Sequence, residues 1–584
     1  MMILDKIKSP AELKALSIAE LNALSGEVRD ALLKKLSIHG GHFGSNFGIV
    51  EATIALHYVF NSPKDKFVFD VSHQTYPHKI LTGRAEAFLD ESKYKDYSGY
   101  SAPYESEHDV FTMGHTSTSV SLALGLAKAR DLTGGDNKVI AIIGDGSLSG
   151  GEALEALNYA GEFDGALIIV VNDNDMSIAE NHGGMYQNLK ALRDSGGKCE
   201  NNIFKNFGLD YIYVDNGNDI EALIGAFESV KNIDHPIVVH IKTQKGKGYA
   251  LAEIEREKWH ATTPFDTATG ERLYSKNGAD TYSDITALHL LKRMKEDSSI
   301  VSLTAATPTA AGFTKERRDL AGAQFIDVGI AEENALAMAS GIAKAGAKPV
   351  WAVNSTFLQR TYDQMSHDVC LNSSPVTTLV FASSIYCQSD VTHIGIYDIP
   401  MISNIPNLKY LAPTCKEEYL AMLDWSIDQN KESVAIKVPA SKAICSGKAA
   451  RCDYSECKYD IVNSGSEVAI LALGSFFPLG ELVYDELKKN GICATLVNPL
   501  FISELDKDAL EAIKENHSLV ITLEDGILDG GFGSKIAQYY GNTDVRVINY
   551  GFKKEFPYKY TLDGILSENR LTVSQIVEDV LKSK

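Results

Sequence analysis

Two short turns carry residue types that could hold a metal-bound phosphate. Gly144-Asp145-Gly146-Ser147 is entered from the apolar run Val139 to Ile143, and Asn172-Asp173-Asn174 from Leu167 to Val171. Two parallel strands joined by a helix would bring both turns to one sheet edge, where α/β proteins bind ligands. One carboxylate, from Asp145, and one amide oxygen, from Asn174, would then converge. That is too little oxygen for an all-protein Ca²⁺ cage. It suits Mg²⁺, which takes few protein ligands and completes its octahedron with ligand phosphates and water. Gly-Asp-Gly turns are also common in plain strand-turn-helix connections, so the rest of the chain decides.

The elements around these turns read as α/β. Helical patterns alternate with β-rich runs at Phe67–Asp70, Val139–Ile143, Leu167–Val171 and Ile237–Ile241, with a further strand near Tyr211. That alternation predicts a doubly wound parallel sheet. A second set comprises Pro349–Val353, Val376–Phe381, Tyr410–Ala412 and Val434–Val438. A third has strands near Val468–Leu473, Ala494–Val497, Leu519–Leu523 and Val545–Ile548. The expectation is three α/β domains, at residues 1–265, 284–447 and 448–584, with a polar linker over 266–283.

At 584 residues the chain is too long for one core. A net charge of −21 argues against nucleic acid or an anionic membrane as partner. No apolar run approaches the roughly 20 residues of a membrane span. Ser9-Pro10-Ala11-Glu12 and Ser17-Ile18-Ala19-Glu20 read as capping boxes opening short helices rather than as a signal peptide, so a cytoplasmic location is expected. Cys445, Cys452 and Cys457 lie close in sequence, but a structural metal would need a fourth ligand and tighter pairs. Free thiols are the expectation there.

Several blocks together resemble the 1-deoxy-D-xylulose-5-phosphate synthase family, relatives of transketolase. Besides the two turns, they are Gly41-His42-Phe43-Gly44-Ser45-Asn46, Asp70-Val71-Ser72-His73-Gln74-Thr75-Tyr76-Pro77-His78-Lys79 and Gly114-His115-Thr116-Ser117-Thr118-Ser119. Asp327-Val328-Gly329-Ile330-Ala331-Glu332 and Ser355-Thr356-Phe357-Leu358-Gln359-Arg360-Thr361-Tyr362-Asp363-Gln364 follow in order. The resemblance implies a three-domain homodimer with thiamine diphosphate between the first two domains. It implies pyruvate decarboxylation and transfer of the two-carbon unit to an aldehyde.

It also implies roles for individual residues. Asp145, Asn174 and the backbone carbonyl of Met176 would hold Mg²⁺ against the diphosphate, with Gly114, His115, Thr116, Gly144, Gly146 and Ser147 around it. Glu332 would hydrogen-bond the aminopyrimidine ring, where burial should raise its pKa and suit proton exchange. The alternative, a solvated Glu at a helix start, fits poorly with the apolar lead-in from Phe325. Phe357 would pack on the pyrimidine ring, and Arg360 lies in the same block; a core Phe is the other reading of Phe357. His42, His73, His115, His260 and His393 would line the reactive carbon, where neutral imidazole can both donate and accept. His78 has a weaker case for such a role, with a local backbone cap as the other reading. Lys245, within Thr243-Gln244-Lys245-Gly246-Lys247-Gly248-Tyr249, would face the diphosphate or stand in solvent.

Four departures from the family pattern bear on the acceptor. Ala382 and Ala440 stand where relatives carry the two arginines that grip the phosphate of glyceraldehyde 3-phosphate. Lys437 and Lys442 lie near enough in sequence to compensate in part. Asn334 replaces a usual His and Asn354 a usual Tyr. The segment between Ile178 and the strand near Tyr211 is short, which implies a more open site. Competing readings are transketolase-type ketol transfer, a synthase-like paralogue with an unphosphorylated acceptor, and a non-catalytic paralogue.

Overall fold

A computed structural model describes residues 2–273, 281–387, 390–439 and 442–583. They divide into two units, Met1–Asn277 with Gly329–Ala331, and Gly278–Val328 with Glu332–Lys584. The first unit contains strands β1 (Gly41–His42), β2 (Lys66–Phe69), β3 (Val139–Gly144), β4 (Leu167–Asp173), β5 (Asp210–Val214), β6 (Pro236–Lys242) and β7 (Ala261–Thr262). Five of them form a parallel sheet in the order β2-β3-β4-β6-β5. Strand side chains alternate between faces. Ile140 and Ile142 therefore pack with Leu56, Leu223 and Phe227 of helices Val50–Val59 and Ile220–Val230. Ala141 and Ile143 pack with Val120, Ala127 and Leu157 of helices Ser119–Thr133 and Gly151–Ala160 on the other face. Burial on both faces explains why β3 and β4 read as unbroken apolar runs.

Both capping boxes form, with Ser9 and Glu12 opening Pro10–Ala15 and Ser17 and Glu20 opening Ile18–His39. The second helix is not short but runs 22 residues, because Leu21, Leu24, Val28 and Leu32 give it a continuous buried face.

The second unit holds two sheets. The first comprises β8 (Ile300–Thr304), β9 (Phe325–Asp327), β10 (Lys348–Asn354), β11 (Thr377–Phe381), β12 (Leu408–Leu411) and β13 (Ser433–Lys437), in the parallel order β12-β13-β11-β10-β8-β9. The second comprises β14 (Asp460–Asn463), β15 (Val468–Ala472), β16 (Ala494–Asn498), β17 (Leu519–Ile527) and β18 (Arg546–Phe552), in the order β14-β16-β15-β17-β18 with β14 antiparallel. One apolar cluster joins them, with Trp351, Val380 and Tyr410 on one side and Leu471, Val497 and Val520 on the other.

Four strands lie outside the predicted runs: β8, β14 and the two-residue β1 and β7. β8 is buried but interrupted by Ser302, and β14 is a half-exposed edge whose polar residues give no apolar signal. Part of the predicted linker is ordered by local bonds: Phe265 bridges Arg272, and the Asp266 carboxylate accepts from the backbone of Ala268 and Thr269. Thr281 then caps helix Tyr282–Glu296; the linker residues 274–280 lie outside the described residues.

Candidate active site

The first unit brings the two turns together as expected. β3 and β4 are parallel neighbours, and their register sets Gly144 beside Asn172 at their carboxyl ends. Asp175 adopts a left-handed φ of 61° and turns the chain back, so that the Met176 amide donates to Asp145 Oδ2 at 3.1 Å. The Asn181 amide donates to the same oxygen at 2.7 Å. Asp145 is 1 % exposed, and burial, reinforced by the nearby Asp173 carboxylate, pushes its pKa up to about 7. Asn174 Oδ1 is buried with no hydrogen-bond partner among the described residues. A dication with phosphate oxygens would neutralise the carboxylate and satisfy the orphaned amide oxygen, so this donor set fits Mg²⁺.

Asp173 next door is compensated differently. Burial favours its neutral form, but hydrogen bonds from His240 at 2.9 Å and from Arg193 at 2.7 Å hold its pKa below the usual value. Arg193 comes from helix Gly184–Asp194, inside the short segment after Ile178, and also bonds Asp175 at 2.5 Å. That segment therefore braces the loop that follows β4.

Lys245 is not a solvated lysine. It is 3 % exposed, donates to the Ser177 carbonyl at 2.6 Å, and is pushed down to about 8 by burial despite the opposing pull of Asp145. Gly114, His115 and Thr116 precede helix Ser119–Thr133 on a turn that Asp70 anchors by accepting from the backbone of Ser117 and Ser119 at 2.8 and 3.1 Å. The Ser117 hydroxyl donates to the Ser147 carbonyl at 2.7 Å, tying this turn to the Gly144–Ser147 loop. A Cβ on Gly150 would stand 2.0 Å from that hydroxyl, which requires glycine there.

Three of the singled-out histidines form one cluster. Antiparallel pairing of His42 with Ala261 sets His42 next to His260, with ring centroids 5.8 Å apart. His73 lies 5.1 Å from His42 and 5.4 Å from His260. Desolvation, helped by the charge of Lys245, pushes His260 well below its usual pKa, so it stays neutral at pH 7. Tyr100 meets His42 edge-on at 5.6 Å, a contact that no sequence pattern indicated. His78 is not a backbone cap: it is buried between His57 at 2.9 Å and Asp109 at 3.0 Å, with Arg84 bidentate on the same carboxylate.

In the second unit, Glu332 opens helix Glu332–Lys344 and is 3 % exposed. Burial raises its pKa against the opposing charge of Arg360, whose guanidinium lies 3.4 Å from Oε2. Phe357, in helix Ser355–Leu358 after β10, is half-buried and meets the His393 ring edge-on at 5.7 Å. His393 Nδ1 shares a hydrogen bond with the Thr392 hydroxyl at 2.8 Å. Asn334 is exposed and Asn354 half-buried at the end of β10.

Lys437 cannot stand in for a missing arginine. It is 3 % exposed, and its ammonium lies 3.1 and 3.0 Å from the two oxygens of Asp398 and 2.5 Å from the Ser383 hydroxyl. The Tyr410 hydroxyl also donates to Asp398. Ala382 sits above this network in a left-handed turn, φ 49°. Lys442 is exposed, and Ala440 lies outside the described residues. Cys445, Cys452 and Cys457 are free thiols. No group of three or more His, Cys, Asp and Glu among the described residues could hold a metal ion.

Comparison with known proteins matches residues 4–200 to the family described as 1-deoxy-D-xylulose-5-phosphate synthase. Residues 116–299 match the thiamine diphosphate binding domain of transketolase, 280–443 its pyrimidine binding domain and 458–576 its C-terminal domain. The 1-deoxy-D-xylulose-5-phosphate synthase of Clostridium beijerinckii is 38% identical over 622 residues, covering 100% of both chains. The protein named 1-deoxy-D-xylulose-5-phosphate synthase 1 from Geobacter sulfurreducens is 38% identical over 95% of this chain and 93% of its own. Among solved structures, the transketolase of Campylobacter jejuni aligns with 97% of this chain and 100% of its own, at 16% identity and a TM-score of 0.44.

Proposed function

We propose that this chain, which belongs to the 1-deoxy-D-xylulose-5-phosphate synthase family, is a thiamine diphosphate- and Mg²⁺-dependent transferase that decarboxylates pyruvate and joins the remaining two carbons to an aldehyde. The observation that carries this reading is the buried Asp145 carboxylate, whose raised pKa the charge of Lys245 does not offset, together with the orphaned oxygen of Asn174. Asp145, Asn174 and the Met176 carbonyl hold Mg²⁺ against the diphosphate. Gly114, His115, Thr116, Gly144, Gly146, Ser147 and Lys245 surround it. Thiamine diphosphate, when bound, supplies the carbanion chemistry. Glu332 holds the proton exchanged with the pyrimidine ring, which its raised pKa suits. Phe357 packs against that ring, and Arg360 restrains the Glu332 carboxylate. His42, His73, His260 and His393 hold and move protons of the substrates and exclude water around them.

Residues 1–265 form the diphosphate domain, 284–447 the pyrimidine domain and 448–584 the C-terminal domain of a homodimer. No helix among the described residues is long and apolar enough to cross a membrane. For the acceptor, the engagement of Lys437 with Asp398 supports weak capture of a phosphate group. The reaction is tested with pyruvate, thiamine diphosphate, Mg²⁺ and a panel of aldehydes including glyceraldehyde 3-phosphate. CO₂ release with a ligated deoxyketose, identified by mass spectrometry, is the expected result. Ketol transfer from a ketose without CO₂ would move the protein to transketolase chemistry, and cofactor binding without turnover would leave a non-catalytic paralogue.

A further inference from the structure

We propose that Asn46 is the positioning residue that sets His42 against His73. It is 0 % exposed, and its carboxamide is used at both ends. Nδ2 donates to the His42 carbonyl at 2.9 Å and to the His73 carbonyl at 2.8 Å. Oδ1 accepts from the Tyr76 amide at 2.9 Å. One side chain thus joins two segments far apart in sequence, the entry to the first histidine block and the turn after β2. Only a carboxamide does this, because it offers two donors and an acceptor in one plane. Aspartate has no donor to give, and alanine leaves two buried carbonyls and an amide without partners.

The turn it holds needs holding. Val71 and Ser72 are both left-handed, with φ of 57° and 67°. A β-branched residue in that region is costly and persists only where its surroundings over-determine it. Ser72 is pinned separately through its hydroxyl, which accepts from the Ser101 amide at 2.8 Å. On the His42 side, the Tyr76 hydroxyl accepts from the His42 amide at 3.4 Å. A Cβ on Gly41, whose φ is 133°, would lie 2.9 Å from that hydroxyl, so the Tyr76 ring closes directly over the strand. Asn46 therefore acts on both histidines, and Tyr76 on His42 alone. Asn46 donates its two bonds to backbone carbonyls. It sets the 5.1 Å, edge-on relation of the two rings through their backbones.

Its importance to turnover rests on the reading that this cluster handles substrate protons, whereas the positional claim does not. The test uses the full chain carrying labelled histidines, with His42 and His73 ring resonances assigned from His42→Gln and His73→Gln. In the cofactor-free protein, Asn46→Ala should move the ring shifts and titration midpoints of both histidines. Tyr76→Phe should move those of His42 alone. In the holoenzyme, Asn46→Ala should lower kcat about ten-fold to a hundred-fold, the scale of a misplaced catalytic group. The pH profile should shift, while thiamine diphosphate affinity stays at the parent value.

A folded Asn46→Ala protein with parental shifts at both histidines overturns the proposal, whatever its stability. If Asn46→Ala does not fold, Tyr76→Phe decides: a change confined to His42 supports the arrangement, and unchanged or equally displaced histidines overturn it. Parental activity in His73→Gln would remove the proton-handling reading of the cluster, while the resonance shifts would still decide the role of Asn46.

Discussion

Asp145 and Asp398 are equally buried, at 1 % and 0 % exposure, and their electrostatic surroundings are opposite. Asp398 has the Lys437 ammonium on both oxygens and the Tyr410 hydroxyl on one of them. Asp145 has two neutral donors, an acidic neighbour and only the weaker pull of the Lys245 charge, and its pKa rises to about 7. A buried charge costs several kcal/mol unless it is paired. The pair at Asp398 is complete within the fold, whereas Asp145 leaves its compensation to something that binds. Burial alone does not mark a ligand site in this chain; burial with unfinished electrostatics does.

The largest expected effect breaks the unfinished side. Asp145→Ala should take Mg²⁺-dependent binding of thiamine diphosphate below calorimetric detection while far-UV circular dichroism stays at the parent value. Parental affinity in that variant would remove the metal assignment. Glu332 is the corresponding buried carboxylate of the second unit, with Arg360 at 3.4 Å from one of its oxygens. Glu332→Gln should still bind cofactor but lose about a hundred-fold to ten-thousand-fold in turnover, the range of general acid–base catalysis. The decisive measurement is deuterium exchange at the thiazolium carbon; an unchanged rate would release Glu332 from its role.

The finished side bears on the acceptor. A phosphate dianion is best held by the paired donors of arginine. Each hydrogen bond to a charged group contributes about 1.5–3 kcal/mol, so two lost without replacement weaken binding roughly a hundred-fold to ten-thousand-fold. With Lys437 committed to Asp398, poor saturation by glyceraldehyde 3-phosphate and better relative use of free glyceraldehyde are expected. Steady-state kinetics on both aldehydes side by side would decide. A micromolar Michaelis constant for the phosphate ester, with negligible use of the free aldehyde, would sink the idea.

How much of this was legible before the structure depended on whether a residue's role came from local pattern or from distant partners. The pairing of Gly144 with Asn172 was legible, because two unbroken apolar runs ending in turn residues demand adjacent buried strands. The burial of Glu332 was legible from its apolar lead-in. The fate of Lys437 was not: a lysine ending an apolar strand reads as one that snorkels to solvent, and only Asp398, 39 residues away, reverses this. Asn181 precedes, and Arg193 lies in the last turn of, a helix whose apolar spacing at Tyr186, Leu189 and Leu192 shows only its buried face, so nothing local points to Asp145 or Asp173. Asn46 lay inside a block singled out for its histidine. Its partners at His73 and Tyr76 come from the far side of a helix and a strand.

Breaking the finished pair should produce a stability effect rather than a binding effect. Asp398→Asn strands the Lys437 ammonium in the interior and should destabilise the protein by about 3–5 kcal/mol, the usual cost of an orphaned buried charge. Denaturant unfolding monitored by tryptophan fluorescence would report it, since buried Trp351 lies in the same core. Replacing both partners together, as Asp398→Asn with Lys437→Met, should recover much of the loss. No recovery would mean that the pair holds the turn at Ala382 through more than charge.

Glu524 gives the smallest and most graded test, because it is intermediate between the two aspartates. It is 0 % exposed and hydrogen-bonds to backbone amides, accepting from Phe532 at 2.7 Å and Gly533 at 2.8 Å, with the charges of Lys535 and Lys437 as weaker pulls. Burial outweighs those bonds and pushes its pKa up to about 7, from 4.5 in the unfolded chain. Between these values the folded state binds more protons than the unfolded one, so this group makes the protein less stable as pH rises. The slope approaches about 1.4 kcal/mol per pH unit inside that window and vanishes above and below it. Glu524→Gln loses one acceptor for an amide at every pH, which sets a constant offset. Relative to the parent, it should therefore gain stability steadily from pH 4.5 to 7 and then level off. A parent–variant difference that stays flat across this range would show that two amide hydrogen bonds finish a buried carboxylate as completely as a lysine does.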